Sequence, residues 1–322
     1  MKYTNKLFAM LALAVVATAC DPDSEGHVMG EQDPAGCQNV YFNTSKYTQT
    51  VEVEPGTNTF VLSIAREVTD GATSVALEVK NNENNVFQVP ATVTFEAGQA
   101  TAPFTVTVTD AAEMGVSYNL LLAVTGEDLS NYPAGYQETS VNFTILKWKP
   151  VGTGYWKDGL VGTFFGVTSY LYAVEIEKTT TANSIRYRFD SPYANVWNGE
   201  YDEYGIAFAG GYPYNAEADL VPGEYVFAID ITEDGASLFP TDMGMDWSYG
   251  MFSTGTVYGN LSDNLGSYPL GIYDEEIGMI TFPANSLYCG MANYGTYAAG
   301  NPSMLFLSYE AYTAYLASLE EE

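Results

Sequence analysis

Histidine and basic residues are scarce in this 322-residue sequence, which has one His and 11 Lys and Arg against 40 Asp and Glu. The only imidazole, His27, lies near the N-terminus, which argues against His-dependent nucleophile systems and multi-His metal sites. The net charge of −29 argues against nucleic acid as a partner, because phosphate binding requires clustered cations. Chemistry based on carboxylates alone is the one catalytic route left open.

Long apolar runs are also missing. The longest near the N-terminus, residues 7–17, is shorter than the roughly 20 residues that span a bilayer. Lys2 and Lys6 precede it and small residues follow, an order typical of a secretory signal. The small residues leading into Cys20 resemble the lipobox of bacterial lipoproteins, which implies that residues 1–19 are removed and that Cys20 is lipidated. An ordinary cleaved signal is the alternative.

The segment after the signal, residues 20–36, is acidic and rich in turn residues, as expected of a flexible, solvated tether. Residues 21–26 resemble the export signal of Bacteroidetes lipoproteins. That resemblance implies a lipid-anchored protein on the outer face of the outer membrane, and the alternative is a linker without a signal. The outer membrane, reached through the lipid anchor, is therefore the first expected partner.

Residues 37–147 contain short segments of alternating apolar and polar residues, broken by turns such as Asp70-Gly71. The segments are residues 48–53, 59–64, 75–79, 92–95, 103–108 and 141–145. Six or seven short strands in about 110 residues predict a β-sandwich.

The segment from Val89 to Val106, with its Phe95-Glu96-Ala97-Gly98 turn, and the strand at residues 118–122 resemble a Calx-beta domain. The resemblance implies an Ig-like sandwich that can bind Ca²⁺ through clustered carboxylates. Here the acidic pattern is thinned to Asp110 and Glu113, whereas Ca²⁺ requires six to eight oxygen ligands. Asp110 and Glu113 are therefore weak calcium candidates, and we expect no cofactor and no dedicated metal site.

The composition changes from Trp148 onward: residues 150–322 hold 20 of the 26 Tyr and 23 acidic against 4 basic residues. Alternation continues at residues 172–178, 184–189, 223–230, 278–282 and 303–307. Apolar residues at helical spacing predict a short helix over 308–319. The fold class predicted for the whole chain is all-β: a Calx-beta-like sandwich followed by a larger antiparallel domain, sandwich or barrel-like, with a short C-terminal helix.

The start of the second domain, residues 148–159, and a later element at residues 187–193 resemble sequence segments of uncharacterised surface lipoproteins of gut Bacteroidetes. The family resemblance covers the second region loosely and implies no chemistry.

Three segments of the second domain, residues 197–215, 246–252 and 293–297, combine aromatic rings with amides and carboxylates. Sugars stack on aromatic rings and hydrogen-bond to polar side chains, so such segments favour glycan binding. The predicted ligand-binding residues are Trp197, Asn198, Glu200, Tyr201, Asp202, Tyr204, Tyr212, Tyr214, Trp247 and Tyr249. The alternative is that these tyrosines are structural, with packed rings and solvent-exposed hydroxyls.

We expect a non-catalytic role in recognition or adhesion, with polysaccharide as the leading ligand. A structural or assembly component that binds another surface protein is the competing hypothesis. A glycoside hydrolase is the third, since Glu200, Asp202, Glu203 and residues 274–276 could supply two acids. Pairing of Cys37 with Cys289 stays open, and Cys289 is otherwise typical of a small buried side chain.

Overall fold

The computed structural model of the protein describes residues 38–44, 48–126, 136–161, 171–193, 221–247 and 250–320. In this part of the chain strands dominate, and an α-helix follows the last strand. The chain divides into two compact units, one ending at Lys147 and the other beginning at Trp148. The predicted all-β class is confirmed, whereas the predicted signal, Cys20, the tether and Cys37 lie outside the described residues.

The first unit forms two sheets. Its strands are β1 (Val40–Tyr41), β2 (Gln49–Val53), β3 (Thr59–Arg66), β4 (Thr73–Asn82), β5 (Phe87–Gln88), β6 (Thr92–Phe95), β7 (Thr101–Val108), β8 (Ser117–Thr125) and β9 (Glu138–Ile145). One sheet has the order β1-β3-β7-β5 and the other the order β2-β9-β8-β4-β6. Neighbouring strands are antiparallel except β2 and β9, which run parallel.

Alternation along each strand places one face of each sheet in a shared core. In β7, the side chains of Ala102, Phe104, Val106 and Val108 are buried and their neighbours are more exposed. The Phe60 ring of one sheet stacks on Phe143 of the other, with centroids 5.2 Å apart. The first unit is therefore a β-sandwich, as the alternating segments predict.

A buried arginine holds the Phe-x-x-Gly turn of the sandwich. Arg66, 2% exposed, donates from Nε to the Gln99 carbonyl and from Nη2 to the Glu96 carbonyl, both at 2.7 Å. Its Nη1 donates to the Gly71 carbonyl at 2.7 Å, and the guanidinium lies 4.8 Å from the centroid of the Phe95 ring. Arg66 thus ties two loops to the core through backbone carbonyls.

The second unit contains an eight-stranded sheet, a four-stranded sheet and a helix. Its elements are β10 (Lys149–Lys157), β11 (Leu171–Thr180), β12 (Ile185–Asp190), β13 (Val226–Thr232), β14 (Gly235–Leu238), β15 (Thr241–Trp247), β16 (Gly250–Thr256), β17 (Ile272–Asp274), β18 (Met279–Phe282), β19 (Leu287–Met291), β20 (Gly295–Ala298), β21 (Ser303–Phe306) and α1 (Tyr309–Glu320). The eight-stranded sheet has the order β14-β13-β12-β11-β10-β21-β18-β17.

The eight-stranded sheet closes on itself. Ala236 of β14 and Gly271, which precedes β17, form an antiparallel bridge with reciprocal backbone hydrogen bonds of 2.8 and 2.7 Å. A side chain at Gly271 would meet the Phe282 ring, with an ideal Cβ only 2.8 Å from it. The second unit is therefore barrel-like, one of the two architectures predicted for it.

The four-stranded sheet, in the order β15-β16-β19-β20, shares a core with the barrel strands. One of its faces contributes Met243, Phe252, Leu287 and Cys289 to the cluster that also contains Trp156. Alternation turns the intervening residues to the opposite face.

The helix α1 packs on the face of β10, β18 and β21 that is turned away from the barrel core. Ser308 caps it, its Oγ accepting a hydrogen bond from the Ala311 N–H at 3.2 Å. The rings of Tyr312 and Tyr315 lie 5.2 and 5.3 Å from the Phe306 ring. The bounds agree closely with the predicted helix over 308–319. No helix in the described part of the chain has the length and apolar character needed to cross a membrane.

Candidate functional site

Two segments singled out in the sequence, residues 148–159 and 187–193, meet in the core of the second unit. Trp156 donates its Nε1–H to the Tyr193 hydroxyl at 2.9 Å, and that hydroxyl donates to Asp158 Oδ1 at 2.5 Å. The same carboxylate oxygen accepts the backbone N–H groups of Leu160 and Val161 at 2.8 and 3.1 Å. Since Trp156, Asp158 and Tyr193 are at most 1% exposed, this network is structural and is closed to a ligand.

Burial in this core sets the chemistry of two side chains. It raises the pKa of Tyr193 well above its usual value, so the hydroxyl keeps its proton and stays a donor to Asp158. Burial, reinforced by the Asp158 charge, also raises the pKa of the Cys289 thiol. Cys289 is a free, buried thiol, as expected of a small apolar side chain.

Most predicted ligand-binding residues fall outside the described part of the chain. They are Trp197, Asn198, Glu200, Tyr201, Asp202, Tyr204, Tyr212, Tyr214 and Tyr249. Trp247 is described by its place at the end of β15, where it pairs with Gly250 of β16. The described residues of segment 246–252 therefore belong to the antiparallel strands β15 and β16, and Gly250 at the start of β16 has a positive φ of 81°.

The third aromatic segment supplies an exposed pair of rings. Tyr294 lies in the turn between β19 and β20 and is 60% exposed, and Tyr297 lies on edge strand β20 and is 46% exposed. Their ring centroids are 5.9 Å apart and their planes are inclined by 39°. The pair presents aromatic surface to solvent at the edge of the four-stranded sheet.

The structure brings the second and third aromatic segments together. An ideal Cβ on Gly250 would lie 2.9 Å from both Ala292 Cβ and Asn293 Nδ2. The hairpin that contains Trp247 therefore packs against the turn that carries Asn293 and Tyr294. An amide, two exposed rings and the end of β15 share one corner of the sheet, although about 45 residues separate them along the chain.

Two acidic side chains of the second unit, the candidate acid Asp274 and Asp230, make structural contacts. Asp274 Oδ1 accepts the Ile277 N–H at 3.0 Å in the turn after β17, where Glu275 and Glu276 are exposed. Asp230 pairs with Arg186 Nε at 2.7 Å and accepts a hydrogen bond from Ser184 at 2.6 Å. These contacts explain Asp274 as a turn residue and Asp230 as an ion-pair residue.

The calcium candidates of the first unit lie in an exposed turn. Asp110 and Glu113 are both exposed, and the Glu113 N–H donates to the Tyr118 hydroxyl at 2.9 Å. Within the described residues, no group of three or more His, Cys, Asp or Glu is arranged to hold a metal ion.

Comparison with known proteins yields only weak similarities. No family model and no curated protein matches the chain. The calcium binding domain CBD12 of CALX1.1 aligns over 52% of this chain and 87% of its own, with 12% identity and a TM-score of 0.28. An auxiliary nutrient binding protein from Bacteroides thetaiotaomicron aligns over 81% and 91%, with 8% identity and a TM-score of 0.26.

The same organism supplies a third similarity, to EndoBT-3987 with a Man5GlcNAc product. It has 11% identity and a TM-score of 0.26 over 33% of this chain. This chain spans only 30% of that protein. Similarities at this level do not assign a function.

The described site differs from the predicted one mainly in Tyr294 and Tyr297. Their segment was recognised as aromatic, but they were not among the predicted ligand-binding residues. The sequence feature that could have identified these two residues is Tyr294-Gly295-Thr296-Tyr297, in which a glycine separates the two tyrosines. Gly295 leaves room beside a ring, since an ideal Cβ at this position would lie 3.3 Å from the Tyr297 hydroxyl.

Proposed function

We propose that the protein is a non-catalytic surface protein whose second unit recognises glycans through Tyr294 and Tyr297. The observation that carries the proposal is the exposure of two neighbouring rings at a sheet edge, beside the Asn293 amide. A pyranose places its C–H face on such rings and its hydroxyls on nearby amides.

Charge favours neutral glycans over anionic ones. The second unit carries 23 acidic and 4 basic residues from position 150 onward. Its field repels sulfated or uronic acid polymers and leaves neutral polysaccharide as the preferred class.

A glycan array probed with the chain from residue 21 tests the proposal. We expect signal on neutral glycans and its loss in the Tyr294→Ala and Tyr297→Ala variants. Tyr309→Ala is the matched control, because Tyr309 is 57% exposed, like Tyr294, but lies on helix α1. No signal on a broad array would contradict glycan recognition, and capture of another surface protein through the second unit would favour the assembly hypothesis.

We further infer attachment to the outer membrane through lipid on Cys20, facing the cell exterior, from the order of charge, apolar run and small residues before that cysteine. Cys20→Ala should leave the protein in the soluble periplasmic fraction. Unchanged membrane partitioning of this variant would refute lipidation.

A further inference from the structure

Strand β3 of the sandwich is paired along only one of its two sides. On one side it pairs with β7 over residues 59–65, and on the other side β1 covers only Ala65 and Arg66. Within the described part of the chain, residues 59–64 therefore have no strand partner on the β1 side. We call this side of residues 59–64 the open edge.

The chain that follows β1 crosses to the other sheet and leaves the open edge uncovered. The Phe42 N–H donates to the Tyr136 carbonyl at 2.8 Å. The Thr44 hydroxyl lies 3.3 Å from the hydroxyl of Thr139, which belongs to β9 of the other sheet. Residues 42–44 thus contact the neighbourhood of β9 and do not continue alongside β3.

The backbone groups at the open edge belong to Thr59, Val61 and Ser63. The Asn58 carbonyl accepts the Val108 N–H at 2.7 Å, so the even-numbered positions form hydrogen bonds toward β7. Since the direction of these bonds alternates along an antiparallel strand, the N–H and C=O groups of the three odd-numbered residues point to the open edge. They are spaced to receive another extended strand.

The open edge lacks the features that prevent unwanted strand pairing. Natural sheets protect exposed edges with charged side chains, prolines or bulges. Residues 59–65 contain no charge and no proline, their register with β7 is unbroken, and Val61 is 57% exposed. By contrast, edge strand β2 contains Glu52, and edge strand β15 contains Asp242 and Asp246 with a register shift between them.

The surface beside the open edge is also neutral, which bears on the partner. The solvent-facing side chains of the adjacent strand β7 are Thr101, Pro103, Thr105 and Thr107. Such a surface offers no counter-charge to a basic partner. It also brings no like charges together when a second copy of this acidic chain approaches.

We propose that two copies of the chain pair through the open edge, antiparallel, about a twofold axis at Val61. This register places Val61 opposite Val61 of the second copy and Thr59 opposite Ser63 of the second copy. Each of these pairs exchanges both of its backbone hydrogen bonds. The valines contact each other and the Thr and Ser hydroxyls meet across the pair. The interface is isologous, so one patch serves both copies.

Sedimentation velocity of the chain from residue 21, between about 1 and 200 µM, tests the pairing. We expect the sedimentation coefficient to rise with concentration. Salt raised from about 50 to 500 mM should strengthen the dimer, because it screens repulsion between the acidic copies.

Val61→Lys places two like charges opposite each other and should weaken dimerisation at least about tenfold. Val151→Lys is the matched control, because it makes the same change at an exposed valine of β10 in the second unit and should leave dimerisation unchanged. Circular dichroism equal to that of the unaltered chain establishes that each variant is folded.

Cross-linking tests the register independently. In a Cys37→Ser background, Val61→Cys should form a disulfide-linked dimer under mild oxidation, since the paired Cα atoms lie about 5.5 Å apart, within the roughly 4.4–6.8 Å that a disulfide spans. Thr59→Cys should not, because the two copies of residue 59 lie about 13 Å apart in this register. The remaining thiol, Cys289, is buried.

Three results would overturn the pairing. The first is a constant sedimentation coefficient over the whole concentration range, which would leave the open edge to a different protein. The second is equal dimerisation of Val61→Lys and Val151→Lys, and the third is cross-linking of Thr59→Cys as efficient as that of Val61→Cys.

Discussion

Replacing Tyr193 by Phe removes a single oxygen from the core of the second unit and leaves the ring in place. That oxygen accepts from Trp156 at 2.9 Å and donates to Asp158 at 2.5 Å. A hydrogen bond to a charged group contributes about 1.5–3 kcal/mol, and a buried donor without a partner costs about 1–3 kcal/mol. Since the terms overlap, we expect the free energy of unfolding to fall by about 3–5 kcal/mol.

Urea denaturation followed by tryptophan fluorescence measures this loss in the second unit alone, because all four Trp lie at position 148 or later. The matched control is Tyr187→Phe. Tyr187 is 2% exposed, but within the described part of the chain its hydroxyl shares one neutral hydrogen bond of 3.3 Å, with Tyr273. The control should lose about 1 kcal/mol or less.

A double-mutant cycle with Asp158→Asn isolates the interaction between Tyr193 and Asp158 and should give a coupling above about 1 kcal/mol. Equal destabilisation by Tyr193→Phe and Tyr187→Phe would refute the reasoning that the network holds this core.

The remaining predictions concern the sandwich, alkaline pH and calcium. Arg66→Met should lower the calorimetric transition of the first unit by several degrees and leave the fluorescence transition of the second unit unchanged, because five backbone and side-chain oxygens lose their donor; a first-unit transition that does not move would contradict this. Burial raises the pKa values of Tyr193 and Tyr288. The stability that these tyrosines contribute is therefore complete below pH about 10, where an unfolded Tyr begins to ionise, and falls as the pH rises toward 12. Tyr288→Phe should make this fall shallower. Calcium titration should leave the melting temperature unchanged, since Asp110 and Glu113 are exposed turn residues; an increase would restore the metal hypothesis.

Much of the architecture could be predicted from periodicity. The segments at 59–64, 103–108 and 172–178 alternate strictly because each strand has one buried face, and all three lie within observed strands. Strands β15, β16, β19 and β20 were not predicted. In β19 every residue is buried, and glycines interrupt β19 at Gly290 and its neighbour β16 at Gly255, so no alternation of apolar and polar residues marks these strands.

The site was less predictable than the fold. The segments 148–159 and 187–193 could be recognised in the sequence, but only the structure shows that Trp156, Asp158 and Tyr193 form one buried network. Exposure separates ligand-binding tyrosines from structural ones, and the sequence does not encode it locally. Tyr193 and Tyr294 both stand among turn residues, yet one is 1% and the other 60% exposed.

The most direct measurement of the central proposal is the affinity of the strongest array glycan for the Tyr294→Ala/Tyr297→Ala double variant, measured by calorimetry beside Tyr309→Ala. Glycan recognition by the exposed pair predicts at least a tenfold loss of affinity in the double variant and none in the control. Equal affinities in both variants would contradict it.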